Sequence, residues 1–256
     1  MDVNKNTYIF GFAAVMVLIV ASLLSVAAIS LKPLQDKNVE AEKKQNILST
    51  LGIEVSREEA AKVYKEKITD SYVINMNGEL VEGDAFTIDL GKELKKSKES
   101  QVFPIFESQD EGTTSYIIPL RGKGLWGPIW GFIALNDDMS TVSGAVFDHK
   151  SETPGLGAEI SLSWFQEPFI GKQIFDGAEF KSIKVVKGGA KPDDLHAVDG
   201  ISGGTITADG VSDMLDERLS NYLPFLIEKR NNTLESAVDT LLMDSTSTAY
   251  TLNYLR

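Results

Sequence analysis

The stretch from Arg121 to Leu135 reads RGKGLWGPIWGFIAL and places glycines between two strand-like runs. Gly122, Gly124 and Gly127 match the letters of the dinucleotide-binding pattern G-x-G-x-x-G, which requires a helix directly after the glycines. Here Pro128 and a second β-like run follow instead. We therefore interpret this segment as a glycine-rich β-hairpin and not as a nicotinamide-nucleotide site.

Further strand-like runs surround this hairpin, and clusters of Gly, Asn and Asp separate them. The runs cover Phe86 to Leu90, Val102 to Phe106, Ser115 to Leu120, Ile129 to Leu135, Val142 to Phe147 and Phe180 to Val186. Asn77-Gly78 lies between apolar alternations from Val73 to Val81, which predicts a hairpin with a type I′ turn.

Helical patterns flank the strands. Ser56 and Glu59 form a capping-box pattern that predicts the start of a helix. Helical spacing returns from Glu159 to Phe165 and again from about Ala208, where Pro224 is expected to kink or end the helix. The residues predicted to form one apolar face of that last helix are Val211, Met214, Leu215, Leu219 and Tyr222. Strands and helices in this order predict an α+β domain.

The residues from Tyr8 to Leu31 are uncharged and almost entirely apolar. About twenty such residues in a helix cross roughly 30 Å of hydrocarbon, so this stretch predicts a single transmembrane helix in contact with lipid. A cleaved secretory signal is the alternative, but its apolar region is usually only about 7 to 15 residues long. We expect an N-terminal tail at 1–7, the membrane helix at 8–31, a juxtamembrane linker or helix at 32–55 and the folded domain at 56–256.

The charge around this span bears on its orientation. Lys5 alone precedes it, whereas several lysines follow it before the domain begins. Taken literally, the positive-inside rule places the domain in the cytoplasm, although the rule weakens for long translocated domains.

The composition excludes several classes of function. The 256 residues carry a formal net charge of −12, and basic runs are short, so the sequence has no electrostatic footprint for nucleic acid. The absence of cysteine excludes disulfides, thiolate nucleophiles and cysteine-held metal clusters. His149 and His196 are the two histidines, so we predict no metal site.

The segment from His149 to Ala158 reads HKSETPGLGA, between a predicted strand and a predicted helix. Pro154-Gly155 suits the central positions of a type II turn. Such a turn could present backbone amides to an anion or a ring, or it could be an ordinary connection. His149 is interpreted as a hydrogen-bonded structural residue.

The segment from Asp199 to Thr207 reads DGISGGTIT and lies just before the last predicted helix. The first amides of a helix and its dipole favour an anion. Thr207 is predicted to be the N-cap residue, with Asp209 in the first turn. The alternative is a glycine-rich loop that merely caps a helix.

The residues from Asp199 to Thr205 resemble the flavinylation motif of the FMN-binding domain family, Asp-x-x-(Ser/Thr)-Gly-Ala-(Ser/Thr), with Gly204 in place of the alanine. Together with the N-terminal span and the segments 121–135 and 149–160, they make the chain similar to the NqrC family, whose members belong to Na⁺-translocating NADH:quinone reductases. The related RnfG family of the ion-translocating Rnf complex shares two of these motifs, but its members are generally shorter.

This resemblance implies that a separate flavin transferase joins FMN through its phosphate to Thr205. It also implies two groups of cofactor-binding residues. The flavinylation motif contributes Asp199, Ser202, Gly203, Gly204 and Thr207, and the turn contributes Glu152, Thr153, Leu156 and Gly157. The domain would face the periplasm from a bacterial inner membrane, against the lysine count, and would relay electrons to and from other subunits of a membrane redox complex.

Three alternatives remain open from the sequence. One is an electron-relay subunit of an Rnf-type complex, and another is a non-redox, membrane-anchored binding module in which residues 202–207 only cap a helix. The third is a hydrolase with Ser202 or Thr205 as nucleophile. The absence of a G-x-S-x-G motif and the scarcity of histidine bases weaken this third alternative.

Overall fold

The computed structural model describes residues 6–110 and 112–253, with side chains as far as Thr233. Most of the predicted tail 1–7 and the last three residues of the predicted domain lie outside these ranges. The helices are α1 Asn6–Thr50, α2 Ala60–Lys67, α3 Leu90–Glu93, α4 Ser163–Gln166 and α5 Thr205–Asn253. Short 3₁₀ turns cover Lys98–Ser100, Gly157–Ser161 and Glu167–Phe169. The strands are β1 Ile68–Asn75, β2 Leu80–Val81, β3 Val102–Asp110, β4 Thr113–Lys123, β5 Pro128–Asn136, β6 Val142–His149, β7 Phe175–Asp176, β8 Glu179–Phe180, β9 Lys184–Val186 and β10 Ala197–Asp199.

The centre of the fold is an antiparallel sheet with the strand order β2-β1-β3-β4-β5-β6. Two small strand pairs lie outside it. β7 and β8 are antiparallel, and β9 and β10 are parallel. Helices packed on an antiparallel sheet confirm the predicted α+β class.

Successive side chains of the long strands are buried on opposite faces of the sheet, as the pleat requires. On one face, α5 covers a large core that includes Phe103, Ile118 and Ile133. The residues predicted to line the apolar face of α5 are all buried there: Val211, Met214, Leu215, Leu219 and Tyr222. The other face holds a smaller core, in which Ile47 of α1 packs with Phe106 and Ile117.

α1 is one continuous helix that passes through the predicted boundary between the membrane span and the linker. Among the described residues it is the one helix long and apolar enough to cross a membrane, and its apolar stretch is exposed. Its last turns belong to the folded domain, since Ile47 and Leu48 are fully buried. The domain therefore includes residues that precede Ser56.

Lys43 and Lys44 help to hold this end of α1 against the domain. The Lys43 ammonium donates to the carbonyl oxygen of Phe86 and lies 4.6 Å from the centre of the Phe86 ring. Burial lowers the pKa of Lys43 to about 8. Lys44 lies over the rings of Phe86 and Tyr64. The anchor helix and the domain are thus joined by packed side chains as well as by the backbone.

The hairpin predicted at Asn77-Gly78 forms between β1 and β2, but the predicted type I′ turn is wrong. Asn77 does not have a positive φ, while Gly78 does, at +82°. The Gly78 N–H donates to the carbonyl of Asn75, which makes residues 75–78 the turn and leaves Gly78 in the left-handed position after it. A Cβ on Gly78 would lie 2.6 Å from the backbone nitrogen of Phe225, so this turn packs directly on α5.

Two strand predictions are wrong for local reasons. Residues 86–89 form a turn that leads into α3, because Asp84 accepts the N–H of Phe86 and Asp89 accepts the N–H of Gly91. The run from Phe180 to Val186 is interrupted at Ser182, whose φ is +58°.

The helix boundaries also differ from the prediction. α5 begins at Thr205, and Pro224 does not end it. The helical run 159–165 is divided between the 3₁₀ turn Gly157–Ser161 and α4. The predicted contact forms, with the N–H of Glu59 donating to Ser56 Oγ at 3.3 Å, but α2 begins at Ala60, three residues after the start that Ser56 as the N-cap predicts.

Candidate functional site

The hairpin between β4 and β5 is the first element of the site. The Gly124 N–H donates to the carbonyl of Gly127 at 2.8 Å, which closes the glycine hairpin predicted from the sequence. Leu125 and Trp126 lie at its tip and are 48% and 66% exposed. An exposed tryptophan at a hairpin tip provides a large apolar surface for a ligand or partner.

The turn after β6 is the second element. The Leu156 N–H donates to the carbonyl of Thr153 at 3.1 Å, and Gly155 has a φ of +75°. These features match the predicted type II turn at Pro154-Gly155. The Glu159 carboxylate accepts the Gly155 N–H of this turn at 3.1 Å.

The segment predicted to carry the flavinylation motif is the third element. It leaves β10, makes a turn in which Gly204 donates to the carbonyl of Ile201, and enters α5 at Thr205. The N–H groups of Thr205, Ile206 and Thr207 are in the first turn of α5 and therefore have no acceptor within the helix. Together with the helix dipole, they provide a favourable position for one negative charge.

The three elements enclose a cleft of about 390 Å³. Its lining residues are Leu125, Trp126, Glu152, Thr153, Leu156, Gly157, Gly203, Gly204, Thr205, Ile206 and Thr207. The structure thus brings together eight of the ten predicted site residues, from two motifs about fifty positions apart in the sequence.

Asp199 and Ser202 are the two predicted site residues outside this lining, and both are exposed. Asp199 Oδ1 accepts the Ala190 N–H at 2.7 Å, so its side chain stabilises the loop between β9 and β10 that precedes the motif. Sequence reasoning missed Leu125, Trp126 and Ile206 as site residues. For Trp126, the signal was present as a bulky aromatic residue between hairpin glycines, where no core position was expected.

Thr207 is not the N-cap residue that the sequence predicted. It lies within the first turn of α5, is buried, and its hydroxyl donates to Glu152 Oε2 at 2.6 Å. Glu152 Oε1 accepts the Trp126 N–H at 2.8 Å. His149 has the structural role that was predicted, because its Nδ1 accepts the Glu152 N–H at 3.2 Å.

The cleft fits FMN in size and in chemistry. Its volume lies in the range of about 300–1,000 Å³ that is usual for small-molecule sites. Leu125, Trp126, Leu156 and Ile206 offer apolar surface for a ring system, while the start of α5 offers amides and a threonine hydroxyl for a phosphate. Since no basic residue lines the cleft, these amides supply the favourable electrostatics for an anion.

Residues 124–220 match the FMN-binding domain family. The fold and the cleft therefore define an FMN-binding protein of the α+β class. The NqrC protein of the Na(+)-translocating NADH-quinone reductase from Vibrio alginolyticus is 31% identical over 253 residues, covering 91% of this chain and 98% of that relative. The chain belongs to the NqrC family of Na(+)-translocating NADH-quinone reductases, which confirms the resemblance drawn from its motifs.

Solved structures of the same family share the fold. The structure of the NqrC protein from Parabacteroides distasonis superposes with a TM-score of 0.72 and is 46% identical, covering 77% of this chain and 96% of that chain. The structure of NqrC from Shewanella oneidensis has a TM-score of 0.65 and is 25% identical, covering 75% of this chain and 98% of that chain.

Proposed function

We propose that this chain is a membrane-anchored electron-transfer subunit of a Na⁺-translocating NADH:quinone reductase, and that it carries FMN covalently through its phosphate on Thr205 Oγ1. FMN supplies the redox chemistry when bound. The protein holds it, orients it and sets its electrostatic surroundings. Other subunits of the complex donate and accept the electrons, and a flavin transferase installs the cofactor.

The assignment of the covalent bond to Thr205 rests on a comparison of the three hydroxyl groups in the segment 199–207, which differ in exposure and in position relative to the cleft. Thr205 is half-buried and lines the cleft at the start of α5. Ser202 is exposed and lies outside the lining, and Thr207 is buried with its proton committed to Glu152. Thr205 is therefore the hydroxyl that is both accessible and next to the amides that favour a phosphate.

Gly204 departs from the alanine of the family motif, and close packing accounts for glycine at this position. A Cβ on Gly204 would lie 2.8 Å from Ile201 Cγ2 and 3.1 Å from the carbonyl carbon of Leu156. The missing methyl group lets the turn 153–157 approach the start of α5 closely. The change leaves the acceptor hydroxyl in place.

The direct test of the covalent bond is flavin fluorescence in a denaturing gel of the full chain, produced with and without a co-expressed flavin transferase. We expect a fluorescent band at the mass of this chain when the transferase is present. A dark band in a folded, membrane-inserted protein from both preparations would contradict covalent attachment. In that case a non-covalent FMN site would be the remaining interpretation of the cleft.

The turn 153–157 is proposed to orient the flavin without holding it, since a covalent bond removes the need for binding affinity here. Leu156→Ala should keep the fluorescent band but alter the absorption spectrum of the flavin and slow quinone reduction several-fold in the assembled complex. Leu162→Ala is the matched control, because Leu162 is similarly exposed but does not line the cleft. Wild-type spectrum and rate in a flavinylated Leu156→Ala protein would remove Leu156 from the flavin site.

We further propose that residues 8–31 span a bacterial inner membrane once and that the domain faces the periplasm. Cysteines replacing Glu58 or Lys62, both exposed in this naturally cysteine-free chain, should react with a membrane-impermeant maleimide in intact cells. A cysteine replacing Asn4, on the other side of the span, should react only after lysis. The opposite pattern of labelling would place the domain in the cytoplasm, as the lysine count suggests.

A further inference from the structure

Glu152 is a carboxylate that is only 5% exposed and lines a cleft without a basic residue. None of the ion pairs among the described residues includes it. A buried carboxylate without a cation is costly unless hydrogen bonds satisfy its oxygens. The burial of Glu152 therefore requires hydrogen-bond donors for both of its carboxylate oxygens.

Each carboxylate oxygen of Glu152 joins a different element of the site. Oε1 accepts the Trp126 N–H from the tip of the β4–β5 hairpin, and Oε2 accepts the Thr207 hydroxyl from the first turn of α5. The backbone N–H of Glu152 itself donates to His149 at the end of β6. One side chain thus connects the hairpin, the turn and the helix that together enclose the cleft.

Two glycines leave room for this carboxylate. A Cβ on Gly124 would lie 2.6 Å from Glu152 Oε1, and a Cβ on Gly157 would lie 2.5 Å from Oε2. A side chain at either position would displace the Glu152 carboxylate, so glycine at both positions leaves the carboxylate the space that it occupies. The hydrogen bonds from Trp126 and Thr207 hold the carboxylate in this space.

We propose that Glu152 is a positioning residue with two effects: it holds the three walls of the flavin cleft together, and its negative charge lowers the reduction potential of the flavin. This inference rests on the proposed function of the cleft. Because both oxygens already accept hydrogen bonds from the protein, Glu152 acts through Trp126 and Thr207 and through its field. A negative charge in a poorly solvated site makes the addition of an electron to a neighbouring group less favourable.

The two effects can be separated by substitution. In Glu152→Gln, the amide oxygen can accept the Trp126 N–H while the amide nitrogen donates to Thr207 Oγ1, so the connection is kept and the charge is lost. In Glu152→Ala, the part-buried Trp126 N–H and the buried Thr207 hydroxyl both lose their acceptor. Glu159→Gln is the matched control, because Glu159 lies nearby in the 3₁₀ turn Gly157–Ser161 and also accepts two N–H groups, yet it does not line the cleft.

The full chain in detergent, co-expressed with flavin transferase, would be examined for covalent flavin per chain and for midpoint potential by spectroelectrochemical titration. We expect Glu152→Gln to retain covalent flavin with a raised midpoint potential, and Glu152→Ala to lose most covalent flavin. Glu159→Gln should match the wild type in flavin content and show a smaller change of potential or none.

Equal midpoint potentials for Glu152→Gln and wild type would overturn the electrostatic effect, and full flavinylation of Glu152→Ala would overturn the positioning effect. If Glu152→Ala does not fold, as judged by circular dichroism, the Glu152→Gln potential still decides the electrostatic effect. In that case, loss of the fold shows that Glu152 is needed for the whole domain, which also overturns a role confined to the cleft. A wild-type chain without covalent flavin would refute the proposed function instead, so the two failures are distinguishable.

Discussion

Thr205→Ala is expected to abolish covalent flavin completely and to leave the fold intact. Thr205 is the accessible cleft hydroxyl at the start of α5, and no hydrogen bond from its side chain to another described residue supports the domain. Loss of a half-exposed hydroxyl usually changes the free energy of unfolding by less than about 0.5 kcal/mol. The measurements are in-gel flavin fluorescence for attachment and thermal unfolding for stability.

Two controls make this result specific. Thr205→Ser keeps a hydroxyl at the same position and should keep the fluorescent band, whereas Ser202→Ala removes a nearby exposed hydroxyl and should have no effect. Peptide mass spectrometry of the wild type should find the flavin phosphate on the fragment that contains Thr205. An adduct on Ser202 or Thr207, or a fluorescent Thr205→Ala protein, would show that the acceptor has been misassigned.

The long strands could be predicted because their pattern reflects burial on a sheet. β3 to β6 each contain the apolar run that the sequence indicated, and each is longer in the structure because residues beyond that run continue the pairing at its ends. The errors fall where short-range polar contacts decide the backbone. Residues 86–89 are apolar enough for a strand, yet Asp84 and Asp89 turn the chain there by accepting backbone N–H groups.

The two motifs that form the site could be predicted from the sequence, but the hydrogen bonds and packing between them could not. Both motifs were visible in the sequence, since glycine, proline and hydroxyl residues mark turns and helix starts. Nothing local to Thr207 indicates that its hydroxyl donates to Glu152, a residue 55 positions away. The same holds for Gly124 and Gly157, where a side chain would collide with the Glu152 carboxylate and, at Gly157, also with Thr207.

Gly144→Ala is expected to separate the end of the anchor helix from the sheet and to destabilise the domain by about 1–3 kcal/mol, the usual cost of overpacking a rigid site. Gly144 lies in β6, and a Cβ there would overlap the backbone carbonyl oxygen of Thr50 at the end of α1. Because a backbone atom cannot rotate away, α1 must move. Ile47 and Leu48, which are fully buried in wild type, would then lose part of their contacts.

Thermal unfolding of the full chain in detergent, followed by tryptophan fluorescence, measures this effect, and a cost of that size lowers the Tm of a domain of about 200 residues by several degrees. Gly83→Ala is the control, since its Cβ would meet only the Val73 side chain, at 3.3 Å, which can yield slightly. The difference between the two variants reports on the attachment of α1 to β6, because both make the same chemical change. Equal unfolding temperatures would mean that the end of α1 is not held against the sheet, and that the anchor and the flavin domain are joined by the backbone alone.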